Sequence, residues 1–319
     1  MAAVAARDSS RAEGFALRHA IPKAYGSYDE MLADPDIDAV YNPLPNSLHG
    51  PWTLKAIEAG KHVLCEKPFA SNAAQAQQVA DAAAASGLVV MEAMHYRYHP
   101  LIQRLRGLVA ELGPVRHIQC WTSFVIEDPD DIRYDYDLAG GALMDGGCYA
   151  IDCLRLVGGG DPAVTGALAD PWPGGAAGDR AAAGGGKAAG GGKAAADRTM
   201  AVRLAFPGGA TGWFESAFTQ TGEFRADVHV SCRDGQVWLQ NFIQAHQGRL
   251  MATRKGVLVA DEQGGGDTTY TWQLRAFAAA IADPESPADE AIPTSAAHAV
   301  ATMRVIDDAY RAAGLALRP

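Results

Sequence analysis

Residues 62–69 read His-Val-Leu-Cys-Glu-Lys-Pro-Phe. A helical stretch ending at Gly60 precedes them. The apolar run is too short for a helix, and Pro68 cannot donate to a sheet ladder. The expected element is a buried strand, His62 to Cys65, that stops at Glu66-Lys67 and leaves a lysine at its carboxyl end. In open parallel sheets ligands bind at that end. A lysine there can hold a ligand oxygen and take part in proton transfer. The same tripeptide, by itself, also reads as a surface Glu–Lys pair before a turn.

The neighbouring segments alternate. Met1 to Arg7 is expected as a short strand and Ser9 to His19 as a helix capped by Ser9 or Ser10. Tyr28 to Ala33 reads as a helical turn and Asp38 to Asn42 as a strand closed by Pro43. Asn46 or Ser47 is the expected cap of a helix with Pro51 in its first turn, ended by Gly60. Ser71 opens an alanine-rich helix that stops at Ser86-Gly87, and Leu88 to Met94 is a further strand. Alternation of this kind predicts a parallel, doubly wound Rossmann-type sheet. No Gly-x-Gly-x-x-Gly turn lies near its start, so the sheet is expected to be N-terminally truncated. Without its central first strand it should carry a gap. An upstream start is one reading; a truncated chain that binds dinucleotide poorly is the other.

After Pro100 the pattern changes. A helix over Pro100 to Leu112 leads to consecutive strands at Val115–Val125, Thr199–Phe206, Thr211–Thr219, Asp227–Cys232 and Gln236–Phe242. Pro207-Gly208-Gly209 and Arg233-Asp234-Gly235 supply turns between them. An α+β domain with a large open antiparallel sheet is predicted. Helices follow at Trp272–Ile281 and Ala296–Ala313. The expected division is a dinucleotide-binding domain over 1–98, with helix 295–314 packing back on it, and a substrate and oligomerisation domain over 99–294. Residues 170–196, rich in glycine and alanine without apolar period, are expected to be a mobile insertion. Its GGGK fails the spacing of a phosphate loop.

The formal charge of the 319-residue chain is −10, which argues against a nucleic-acid partner. No apolar run reaches the length of a membrane span, no secretion signal is evident, and a cytoplasmic location is expected. The five cysteines form no Cys-x-x-Cys pair and the nine histidines no His-x-x-x-His pair on an expected helix, so no metal is expected.

Residues 140–153 read GGALMDGGCYAIDC. In a regular helix Asp145, Tyr149 and Asp152 fall at i, i+4 and i+7 and share one face. That stripe suits a ligand rich in hydroxyls, and equally a solvated face.

Four stretches together, YNPLPNSLH at 41–49, EKP at 66–68, GGALMDGGCYAID at 140–152 and a last helix ending RAAGL, resemble the Gfo/Idh/MocA family of NAD(P)-dependent oxidoreductases. The similarity is to its dimeric dihydrodiol dehydrogenase and glucose-fructose oxidoreductase branch. The resemblance implies interconversion of a secondary alcohol and a carbonyl on a sugar, cyclic polyol or trans-dihydrodiol. Lys67 is then the lysine beside the nicotinamide and the reacting oxygen, and Tyr149 the general acid/base. Asp145 and Asp152 are expected to bind substrate. Asn42, Pro45, Asn46 and His49 line the nicotinamide-ribose side, with Glu66, Lys67 and Pro68 completing the cofactor-binding set. Arg7 is expected against adenine or a 2′-phosphate, which favours NADP slightly over NAD. A homodimer through the open sheet face fits the same pattern. The alternative is a cofactor-poor homologue acting as a sugar-binding or scaffold protein.

Overall fold

The computed structural model describes residues 1–172, 194–219, 222–283 and 292–319. Most of the expected mobile insertion at 170–196 lies outside them.

Local chemistry sets the first elements. Strand β1 (Ala3–Ala5) leads into helix α1 (Ser9–His19), whose cap is Asp8, one position earlier than expected, with its side chain accepting from the Arg11 N–H. Strand β2 (Lys23–Tyr25) pairs parallel with β1. Helix α2 (Tyr28–Ala33) and strand β3 (Ala39–Asn42) follow. Helix α3 (Asn46–Glu58) begins at Asn46 itself, with Pro45 at the cap position and no side-chain cap. Strand β4 spans His62–Cys65. Helix α4 (Ala73–Ser86) is capped by Asn72, and Gly87 closes it at φ +70°. Strand β5 is Val90–Glu92.

These strands form two separate parallel sheets, β1–β2 and β3–β4–β5. Between the two lies an apolar cavity of about 450 Å³, lined by Val4, Val40, Leu64 and Phe277 among others. The two sheets are thus separated by an apolar gap.

Helix α5 (Pro100–Glu111) carries the chain into strand β6 (Val115–Val125). A wide π turn at Leu143–Gly147 enters helix α6 (Cys148–Gly158). Strands β7 (Ala163–Pro171), β8 (Asp197–Ala205), β9 (Thr211–Thr219), β10 (Arg225–Cys232), β11 (Gly235–Gln240), β12 (Arg249–Arg254) and β13 (Val257–Gln263) complete an eight-stranded sheet. Its order is β13-β12-β11-β10-β6-β9-β8-β7. The expectation of a wholly antiparallel sheet needs correction. Strands β6 and β9 pair in parallel, from His117 with Thr211 to Val125 with Thr219. No hairpin joins them. The chain leaves through α6, β7 and β8 before β9 returns, and such a crossover permits parallel pairing.

Alternation decides which face is covered. On β6, Ile118, Cys120 and Thr122 are buried while Gln119, Trp121 and Ser123 are partly open. The buried face packs on α5 and α6. The other face carries Trp121 and Trp213 edge to face, 5.6 Å between centroids, with Arg225 over Trp121. Helices α7 (Thr269–Ala282) and α8 (Ala296–Ala312) end the fold. Helix α8 lies against α4 and α6, and Asp307 accepts from the Ala73 N–H at 3.2 Å. Among the described residues no helix is long and apolar enough to cross a membrane.

Candidate active site

The parallel register of β3 and β4 sets Asn42 opposite Cys65, so both strands end at one level. The residues that follow, Pro43 to Asn46 with Glu66 and Lys67, meet the loop before α6 around a cavity of about 240 Å³, which Pro68 does not line. Pro45, Asn46, His49, Glu66, Lys67 and Asp145 line it, together with Arg133 from the loop after β6. It sits at the carboxyl ends of parallel strands, the usual ligand position in such sheets.

Lys67 organises the cavity. Its ammonium donates to Asp145 Oδ1 at 2.8 Å and to the Asp145 carbonyl at 3.0 Å. Arg133 Nε approaches the other carboxylate oxygen at 3.3 Å. Burial alone would discharge these groups. The opposed charges prevail: Lys67 is held above its ordinary range by Asp145, and Asp145 below its own by Lys67 and Arg133. Glu66 accepts from the Tyr41 hydroxyl at 2.6 Å and from the Lys67 N–H at 3.2 Å, which fixes the turn that aims the lysine.

The expected regular helix through Asp145 and Tyr149 is interrupted. A π turn holds an extra residue, so the two side chains depart from simple i, i+4 spacing. Lys67 comes between them, with its ammonium 5.0 Å from the Tyr149 ring centroid. A Cβ at Gly146 would come within 2.7 Å of Ser216 Oγ, so this close approach to β9 needs glycine. The Tyr149 hydroxyl lies 3.1 Å from His95 Nε2. Burial, with Glu66 adding to it, holds the phenol well above its ordinary pKa. That differs from the lowered pKa that a nearby ammonium alone would give.

The remaining expected residues divide. Asn46 ties the cavity to the second domain, donating to the Ala139 carbonyl at 3.1 Å. His49 spans the Leu44 and Pro68 carbonyls at 2.6 and 2.7 Å, while burial lowers its pKa. Asn42 is buried and donates to the His49 carbonyl and Thr53, so it braces the loop and faces away from the cavity. Arg7 is exposed beyond β1 and does not line the Lys67 cavity.

Asp152 is not brought to the cavity. It is fully buried and accepts from His298 at 2.5 Å and from the Tyr96 hydroxyl, with Arg97 at 3.7 Å. Against its burial these partners hold its pKa down. The substrate role expected for Asp152 is therefore replaced by one of locking α6 to α8. Spacing over two turns of a helix fixes a face only if the helix is regular, and the π turn removes that condition for Asp145.

Several residues that meet the site were given no role in it from sequence: Tyr41, His95 and Arg133. Tyr41 stood inside the quoted YNPLPNSLH stretch. His95 carried no spacing signal, since its partners lie 54 and 174 residues along the chain, and Arg133 reaches Asp145 only through the fold of the loop between them.

Behind the EKP turn lies Glu92, at the end of β5 and fully buried. One carboxylate oxygen accepts from the Phe69 N–H at 2.9 Å; the other has no partner among the described residues. Burial, then the Asp152 charge, push its pKa up to about 8. A raised pKa means that the folded chain binds this proton more tightly than the unfolded chain. The stability it contributes is full below the ordinary carboxylate range and is lost as pH rises towards 8. Glu92→Gln keeps an acceptor for Phe69 and removes the charge. Urea denaturation is expected to find the variant more stable than the parent at pH 8, by roughly 4 kcal/mol, with little difference near pH 4. Equal midpoints at both pH values would contradict the assignment.

Comparison with known proteins adds to this geometry. Residues 1–94 match the model of the oxidoreductase family with NAD-binding Rossmann fold, and residues 102–238 the GFO/IDH/MocA C-terminal domain. A D-xylose 1-dehydrogenase (NADP(+)) of Haloferax volcanii is 36% identical over 319 residues, covering 98% of this chain and 89% of that protein. A trans-1,2-dihydrobenzene-1,2-diol dehydrogenase of Sus scrofa is 36% identical over 221 residues, 68% of this chain and 59% of the relative. A 3-ketoreductase of Actinomadura kijaniata, solved with NADP and TDP-benzene, superposes with a TM-score of 0.82 at 25% identity. It covers 99% of this chain and 90% of its own. With its Rossmann-type sheets, its large mixed sheet and relatives named as dehydrogenases, this chain belongs to the Gfo/Idh/MocA family of NAD(P)-dependent oxidoreductases.

Proposed function

We propose that the chain interconverts a secondary alcohol and a carbonyl on a sugar, cyclic polyol or trans-dihydrodiol, with Lys67 and Tyr149 handling the proton and NADP favoured over NAD. The observation that carries this reading is the contact of Lys67 with Asp145 on one side and the Tyr149 ring on the other.

The residues of the 240 Å³ cavity suit the nicotinamide-ribose half of the cofactor. Prolines 43 and 45 offer flat apolar walls, while Asn46, Glu66 and Lys67 offer groups for hydroxyls. No glycine-rich turn joins a strand to a helix for the pyrophosphate among the described residues. A nicotinamide held there would supply or take the hydride. Lys67 presents a permanent positive charge to an oxygen that becomes negative. Asp145 and Arg133 hold that charge in place. Tyr149 keeps its proton at neutral pH, so in the reductive direction it is the donor to the carbonyl oxygen. Asp145 also offers a carboxylate to substrate hydroxyls. The preference for NADP is supported by Arg7, whose guanidinium suits a 2′-phosphate, and by the NADP-linked relatives.

The test is an assay of NADP(+) and NAD(+) reduction with D-xylose, other aldoses and a trans-dihydrodiol, and of NADPH oxidation with keto-sugars. Turnover of at least one of these is expected, faster with the NADP couple. Tyr149→Phe is expected to lower kcat by about 10²–10⁴-fold with an unchanged circular dichroism spectrum. Undiminished turnover by Tyr149→Phe would remove the tyrosine from the mechanism.

A further inference from the structure

His95 follows β5 in a short helical turn, and only 1% of it is exposed. Its two ring nitrogens have different neighbours. Nε2 lies 3.1 Å from the Tyr149 hydroxyl, and Nδ1 lies 2.8 Å from Oγ1 of Thr269. Thr269 is the first residue of α7 and is fully buried. The next residue, Tyr270, stacks on the imidazole with 4.0 Å between centroids and 24° between planes. The ring is thus held at both nitrogens and on one face.

A neutral imidazole has one donor and one acceptor. Burial, then Lys67 and His246, depress the His95 pKa to about 3, so the ring is neutral at physiological pH. Tyr149 keeps its hydrogen, so that hydrogen goes to Nε2. The imidazole hydrogen then sits on Nδ1 and is given to Thr269. A chain of fixed direction results, from Tyr149 through His95 to Thr269.

We propose that His95 is a positioning residue for Tyr149: its Nε2 holds the phenol hydroxyl in place, and Thr269 holds His95 in the tautomer that can do so. The inference rests on the proton role proposed above for Tyr149. No covalent bond to His95 is made or broken. Until a substrate carbonyl oxygen arrives, that hydrogen bond fixes the hydroxyl; rotation about the Cζ–Oη bond then exchanges it for one to the substrate oxygen, while the phenol ring stays packed against His95 and Tyr96. Without His95 the hydroxyl loses its fixed partner and the phenol samples other orientations. Misplacement of a reacting group by a fraction of an ångström is costly in rate.

Two measurements test the proposal. The first needs no turnover: ¹⁵N spectra of the histidine-labelled chain should show His95 as the neutral Nδ1–H tautomer at pH 7, shifting to a mixture in Thr269→Val. An Nε2–H tautomer, or a protonated ring, would overturn the proposal. The second compares variants. His95→Phe keeps the stack on Tyr270 and removes the acceptor; kcat is expected to fall about 10–100-fold with KM nearly unchanged. His95→Gln, which restores an acceptor oxygen, should recover most of that loss. A His95→Phe enzyme with parental kcat, or no recovery in His95→Gln, would overturn the positioning role. If Tyr149→Phe itself retained activity, the function reading would fall, while the tautomer result would still stand by itself.

Discussion

Lys67→Ala is expected to lower kcat/KM by about 10³-fold or more, while the folded chain survives. The ammonium is the permanent cation at the cavity that faces both Asp145 and the Tyr149 ring. Removing it takes away the charge that would meet a developing alkoxide, and an electrostatic partner of that kind is worth about 10²–10³ by itself. It also loosens the proton donor, which adds a further factor. Stability should change little. Asp145 keeps Arg133 at 3.3 Å, so its carboxylate is not stranded. Lys67→Arg is not a conservative repair, because a planar fork cannot occupy the position of a compact ammonium between a carboxylate and a ring. Steady-state kinetics beside a thermal melt decide the matter: an inactive, cooperatively folded variant is the expected pair of results. Parental turnover would exclude Lys67 from the chemistry.

The largest loss of stability is expected at the far end of the chain. Arg318 is fully buried and donates to Asp197 at 2.6 Å and to the Gly140 carbonyl at 2.7 Å, and it lies 4.0 Å from the Tyr310 ring centroid. Asp197 is fully buried too. Arg318→Met would leave that carboxylate with the Leu143 N–H and the Tyr310 hydroxyl as its partners. Stranding one member of a buried pair costs about 3–5 kcal/mol. The Arg318→Met, Asp197→Leu double variant should cost less than the sum of the singles. Urea denaturation measures both; a loss below about 1 kcal/mol for Arg318→Met would show the pair to be dispensable. The site has a stake in this pair. Gly140 and Leu143 flank the turn that delivers Asp145, so a loosened tail is expected to lower activity as well as stability.

How much of this was legible follows from the physical range of each signal. Strand β4 was legible to the residue because Gly60 ends the helix before it and Pro68 ends the ladder after it. Helix α5 was visible through its apolar spacing and Pro100. Strand β2 escaped notice, because three mostly exposed residues, Lys23 to Tyr25, carry no pattern. The parallel pairing of β6 with β9 was also hidden. Alternation reports which face a strand buries and not the direction of its neighbour. At the site, Lys67 and Asp145 were named from sequence, and the structure brings them within 2.8 Å. Asp152 was misread, because spacing along a helix cannot say that Tyr96, Arg97 and His298 wait on that side. His95 and Thr269 stand 174 residues apart, beyond any local signal.

NADP preference and a cofactor seated against Lys67 are the proposed properties on which the function rests. Its most direct test is a fluorescence titration of NADPH and NADH into the parent chain and into Lys67→Ala. Saturable binding of both to the parent is expected, tighter for NADPH, with weakened binding in Lys67→Ala and the same preference between the two. A folded parent chain that binds neither dinucleotide would contradict it.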